Sequence, residues 1–282
     1  MDDLHAINAA INAKAGRALG SSIVVSIGIL VLVFGSLYIN SAIFGVLVWL
    51  ALMMASRELT HAYKGGGIEI PENAIQIAAT GLLAAAWFGR VSGLAVATAI
   101  VIPNILVYIL VKSPKDFVKK STAATFAIFY PGFLGGFVLL LAHSDKGLER
   151  ILTLVVLVSC NDTFAYLSGV LFGRHPLAPH VSPKKTWEGL IGAMLATTIG
   201  SALVFHFALE KSFWLGAGFG IVAVVTATCG DLIESAVKRD LAIKDMGNIL
   251  PGHGGILDRI DSVLFTGPAV WFVLELIKRF SL

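Results

Sequence analysis

Charge is what this sequence lacks most. Only 14% of its 282 residues are Asp, Glu, Lys or Arg, against about 25% in a soluble domain. Such a shortage excludes an ordinary water-facing surface. With 56% hydrophobic residues and a mean hydropathy of +0.83, it points to a polytopic membrane protein. Cysteine is almost missing. Cys160 and Cys229 lie in apolar runs with no Cys or His at ligand spacing beside them, which argues against a disulfide framework and against a thiolate metal site. A net charge of +3 is too small for a nucleic-acid binder. A secretory leader pattern is also lacking: Met1 to Gly20 carries acids at Asp2 and Asp3, and its spaced apolar residues predict a short amphipathic helix lying on the membrane.

What is present is a series of nine apolar stretches, at 22–38, 41–56, 73–88, 91–111, 122–142, 149–173, 187–208, 213–239 and 257–279. Each approaches the roughly 20 residues that a spanning helix needs. Only Ile39 and Asn40 separate the first two. Pro103 and Pro131 fall inside spans, where kinks are tolerated, and Gly135-Gly136 predicts close helix packing. With nine spans, the 21 Lys and Arg residues divide 15 to 6 between the two faces. The richer face, which includes the N-terminus, is expected to be cytoplasmic, with the C-terminus outside. The expected fold class is therefore all-α: about nine transmembrane helices around a cytosol-facing polar funnel. Residues 1–145 are read as an N-terminal scaffold of about five helices and 146–282 as a catalytic region of about four.

Four polar stretches reach that face. In NDTFAYLSGVLFG, Asp162, Tyr166, Gly169 and Gly173 share one helix face. An acid inside a span costs about 2.5–3.5 kcal/mol, so Asp162 is a candidate for a metal or substrate site, with the two glycines read as packing positions. The loop GRHPLAPHVSPKKTWEG reads as irregular. It offers Ser182, Lys184 and Lys185 beside a helix start that Thr186 is placed to cap, a favourable setting for phosphate. In the eighth span Asp231, Glu234, Ser235 and Lys238 form one polar stripe. Glu234 and Lys238 are spaced to pair, whereas Asp231 has no evident partner in its own helix and is the first candidate for a metal ligand. Finally, LPGHGGILDRID places His253 in a glycine-rich turn, followed by Asp258 and Asp261 on one helix face, with Arg259 between them. Acids on two helices suit a hard cation such as Mg²⁺.

Ser235 to Asp261, read as S-A-V-K-R, then Lys244-Asp245, then L-P-G-H-G-G-I-L-D-R-I-D, resembles the signature of the phosphatidate cytidylyltransferases, or CDP-diacylglycerol synthases. N-D-T-F-A-Y and S-P-K-K-T-W-E-G resemble that family too, so the motifs cover the C-terminal half from Asn161 onward. The resemblance implies an integral enzyme of a bacterial-type inner membrane that transfers the cytidylyl group of CTP to phosphatidic acid. It also implies Mg²⁺, a second cation such as K⁺, and a homodimer. The roles assigned are Asp231 and Asp258 on the catalytic metal with Asp261 and Asp162 in support. Lys184, Lys185, Lys238, Arg239 and Arg259 neutralise phosphates, and Ser182, Ser235, Lys244 and His253 line the pocket. A CTP-dependent polyprenol or dolichol kinase is the competing enzyme class. A transporter fits less well, because the charges gather on one face, and the D-G-x-x-A-R pattern of CDP-alcohol phosphotransferases is not found.

Overall fold

The computed structural model describes residues 19–247, 249 and 254–280, with side chains from residue 27 onward. Its architecture is helical. In chain order, α1 is Leu19–Ile39, α2 Ser41–Gly65, α3 Glu72–Lys112, α4 Phe117–Ile128 and α5 Leu134–Ala142, the last two joined by a π-helical turn at Phe129–Phe133. Then come α6 Gly147–Phe172, a hairpin of β1 Pro176–Ala178 and β2 Ser182–Thr186, α7 Trp187–Phe207, α8 Phe213–Asp240 and α9 Leu257–Phe280.

Local chemistry explains several boundaries. Asn40 ends the first apolar stretch because its side chain caps α2, accepting from Ala42 N at 2.7 Å. Pro131 sits in the π-helical turn, which absorbs its missing donor. Pro103 lies within α3 without breaking it; the non-helical residue there is Arg90, at φ 58° and ψ −153°. A straight helix of 41 residues would be about 60 Å long, twice the hydrocarbon core. Instead the chain doubles back at Arg90, setting Gly93 so close to Ala85 that a Cβ would lie 2.5 Å from the Ala85 carbonyl oxygen. The expected third and fourth spans are the two arms of α3.

Seven stretches among the described residues are long and apolar enough to cross a membrane, counting α3 once and Phe117–Ala142 once. The expected first span contributes only a shorter apolar helix, Ile27–Ile39. The nine expected stretches therefore match helical segments, and the number that qualify by length and composition is seven.

Two apolar cores form. One joins α2, α3, α4 and α5 to Met246, Leu257 and Leu264; the other joins α1, α2, α5, α6, α7, α8 and α9. Each mixes residues from both sides of position 145. Glycine permits the closest approaches: a Cβ on Gly135 would fall 2.6 Å from Leu52, and one on Gly230 2.6 Å from the Asp261 carbonyl oxygen. Gly230 thus lets α8 and α9 touch beside the polar cluster.

Candidate active site

The polar groups meet where the C-terminal end of α8, the start of α9, the second half of α6 and the hairpin come together. The segment expected to be an irregular loop is in part an antiparallel hairpin, with Pro176 opposite Thr186 and Ala178 opposite Ser182. Thr186 caps α7 as its spacing predicts, accepting from Gly189 N at 3.1 Å. Glu188 anchors the other end of the segment, accepting from Arg174 N and His175 N and lying 2.6 Å from His175 Nδ1. Arg239 Nε of α8 donates to the Val181 carbonyl at 3.2 Å and ties the hairpin down. Gly169 and Gly173 are packing positions: a Cβ on either would meet Thr186, at 3.4 and 2.9 Å.

From this hairpin Lys185 reaches Asp231, Nζ to Oδ2 at 2.6 Å. Ser235, one turn along α8, donates to Asp231 Oδ1 at 3.2 Å. The expectation that Asp231 stands unpaired is thus corrected: Ser235 of its own helix donates to it, and its ionic partner comes from another element, where helix spacing cannot show it. Successive strand residues face opposite ways, so Lys184 is exposed while Lys185 is half-buried, with Ser182 half-buried at the strand's start.

Glu234 and Lys238 do pair, Nζ to Oε2 at 2.6 Å. The same ammonium donates to Asp258 Oδ1 at 2.8 Å. Asp258 Oδ2 accepts from Met246 N at 2.9 Å and Gly255 N at 2.7 Å. Asp258 therefore organises the α8–α9 connection, and its oxygens are engaged within the protein as the structure stands. Glu234 is 1% exposed, with Oε1 lacking a hydrogen-bond partner.

Asp261 is buried and accepts from Ser262 N at 2.7 Å. It lies within electrostatic range of Asp231, Asp162 and Lys238. Asp162, on α6, accepts from Asn161 Nδ2 at 3.0 Å and in turn senses Asp231, Lys185 and Arg259. Three helices thus each bring one carboxylate into a common region, bordered by three cations. Among the described residues no three acidic, histidine or cysteine side chains stand close enough to form a ready metal cage. The donor chemistry itself, carboxylate oxygen with little else, is that of a hard cation, and the ammonium of Lys185 now neutralises the Asp231 edge. Lys244 is exposed in the turn after α8. His253 lies outside the described residues. Two open cavities, of about 240 and 400 Å³, are at the opposite ends of these helices, around His143 and around Lys146 and Lys278, away from the cluster.

The sequence from residue 21 to 277 matches the Cytidylyltransferase family. That span is most of the chain. The protein belongs to the cytidylyltransferase family. It is 32% identical over 277 residues to the phosphatidate cytidylyltransferase of Mycobacterium bovis, covering 94% of this chain and 90% of that one. It is likewise 32% identical over 285 residues to the enzyme of that name from Mycobacterium leprae, with 94% and 90% covered. The Staphylococcus aureus phosphatidate cytidylyltransferase is 38% identical over 153 residues, 54% of this chain and 59% of that protein. In this cytidylyltransferase the residues that sequence reasoning missed are Glu58 and Glu188. Glu58 lies beside Arg57 at the end of an apolar run and looks like an ordinary flank; its signal was an acid within ALMMASRELTHAY.

Proposed function

We propose that the cluster of Asp162, Asp231 and Asp261 with Lys185 and Arg259 is where this integral membrane enzyme transfers the cytidylyl group of CTP to phosphatidic acid, giving CDP-diacylglycerol and pyrophosphate. One observation carries the reading: carboxylates from three separate helices lie within electrostatic range of one another, and a lysine supplied by the hairpin pairs with one of them, Asp231. Membrane-embedded charge on that scale is costly and marks function.

The chemistry joins two anions. A phosphate oxygen of phosphatidic acid forms a bond to the α-phosphorus of CTP as the bond from that phosphorus to the β-phosphate oxygen breaks. Positioning and charge neutralisation supply most of the catalysis in such transfers. Lys185 and Arg259 would neutralise phosphate oxygens, with the exposed Lys184 and Lys244 in support. Arg239 holds the hairpin, Ser235 presents its hydroxyl to Asp231, and Ser182 starts the strand that carries Lys185. Lys238, held between Glu234 and Asp258, keeps α8 and α9 in register. Asp231 and Asp261, with Asp162, would hold Mg²⁺, and Asp258 would support them from the α9 start. When bound there, the ion would supply positive charge to the triphosphate and the leaving pyrophosphate. Glu234 Oε1 is the buried acceptor left over for a second cation.

In this reading the site opens to the cytosol, where CTP is, and sideways to the bilayer, which delivers phosphatidic acid, and the enzyme works as a homodimer. The distribution of Lys and Arg supports that orientation. Purified protein given labelled CTP, phosphatidic acid and Mg²⁺ tests the reaction. A CDP-lipid and pyrophosphate are expected; a phosphorylated lipid and CDP would identify a CTP-dependent lipid kinase instead.

A further inference from the structure

Glu58 belongs to none of the four polar stretches and sits on α2, in the half of the chain read as scaffold. It is 5% exposed. Its two carboxylate oxygens accept from consecutive main-chain amides at the start of α9, Ile256 N at 2.9 Å and Leu257 N at 2.8 Å. The amide just before them, Gly255 N, donates to Asp258 Oδ2. A helix begins with N–H groups that have no partner of their own. Here three in a row are taken by two carboxylates, one of them 198 positions away from Ile256 in sequence. A negative charge at that end also suits the helix dipole. Two glycines make room for it: a Cβ on Gly247 would lie 2.5 Å from Glu58 Oε1, and one on Gly255 2.5 Å from Oε2.

We infer that Glu58 is a positioning residue for the transfer reaction: from the N-terminal half it fixes the first turn of α9, and through that turn it sets Asp258 and Asp261 against Asp231 of α8. The inference rests on the reading that these acids form the catalytic site. Nothing in the geometry lets Glu58 act on substrate directly, because both oxygens are spent on the helix start. Its effect must travel through the acids it orients, so the sensitive readout is the enzyme's demand for Mg²⁺.

The test uses the full-length protein purified in detergent, comparing wild type, Glu58→Gln, Gly255→Ala and the double variant, with the folded fraction measured by size exclusion and thermal melting. Glu58→Gln replaces one acceptor oxygen by an amide nitrogen that cannot accept from an N–H. The expected result is a folded protein whose Mg²⁺ concentration for half-maximal activity rises about threefold or more and whose kcat falls about tenfold, with KM for CTP changed far less. Gly255→Ala, which displaces the carboxylate by its own route, gives the same shift, and the double variant is less impaired than the product of the two. Wild-type Mg²⁺ dependence in Glu58→Gln, or activity falling only in step with the folded fraction, overturns the inference. Should Glu58→Gln not be recovered folded, Gly255→Ala decides: a raised Mg²⁺ requirement supports the inference and an unchanged one overturns it. Asp231→Asn separates the two levels. A dead Asp231→Asn beside a normal Glu58→Gln removes only this inference, whereas a normal Asp231→Asn removes the site itself.

Discussion

Lys185 Nζ lies 2.6 Å from Asp231 Oδ2, joining the hairpin to the helix that carries much of the site's charge. The two residues come from segments 46 positions apart in sequence, so their meeting is a product of the fold rather than of helical spacing. In the proposed reaction, an anion that draws the ammonium away would leave Asp231 available to a cation. Lys185→Ala should lower kcat/KM for CTP about 100-fold, or about 2.7 kcal/mol of transition-state stabilisation. Lys184→Ala, on the exposed face of the same strand, should cost far less. Steady-state kinetics on the two variants check the ranking.

Lys238 is the cation of a buried three-membered arrangement with Glu234 and Asp258, its side chain 14% exposed. Removing it leaves two acids in the apolar interior without their counter-ion. Lys238→Met should destabilise the protein by about 3–5 kcal/mol, read as a lower melting temperature in detergent. Adding Glu234→Gln to that background should recover part of the loss, since one of the stranded charges is gone.

Gly230 and Gly218 both lie in α8, with opposite surroundings. A Cβ on Gly230 would sit 2.6 Å from the Asp261 carbonyl oxygen, while one on Gly218 meets nothing within 4 Å. Gly230→Ala should cost about 1–3 kcal/mol by forcing α8 from α9 and should reduce turnover by shifting Asp261. Gly218→Ala should hold or raise the melting temperature, because alanine favours a helix interior by about 1 kcal/mol over glycine.

Thr186 holds the start of α7 through Gly189 N. Thr186→Ala should cost about 1 kcal/mol and loosen the strand that carries Lys185. Thr186→Ser, which keeps the oxygen, should restore both the melting temperature and activity.

Much of this was legible in the sequence because a bilayer makes charge expensive: Asp162, Asp231 and Asp261 stood out as acids within apolar runs. The Thr186 cap and the Glu234–Lys238 pair were legible because both are local, three and four residues apart. The partner of Asp231 was not, since Lys185 arrives from a different element. The turn at Arg90 was legible as the break at residues 89–90 between the third and fourth apolar stretches, but its backbone conformation was not. Nothing about an arginine announces φ 58°, whereas prolines draw attention and Pro103 breaks nothing. Glu58 was hidden because a terminal acid on a span has an ordinary meaning as a flank, and its main-chain partners carry no side-chain signature. The hairpin escaped because Pro176 and Pro183 read as loop residues, although a two-stranded ribbon places both on edges where a missing N–H is harmless.

The most direct measurement is turnover of labelled CTP into liponucleotide by purified Asp231→Asn and Asp261→Asn, each confirmed to be folded, across a range of Mg²⁺ concentrations. Convergence of these carboxylates on one ion predicts that both variants lose about 100-fold or more in kcat and that added Mg²⁺ does not restore it. Near-normal turnover by either one, at the Mg²⁺ concentration that saturates the unaltered enzyme, would contradict the account.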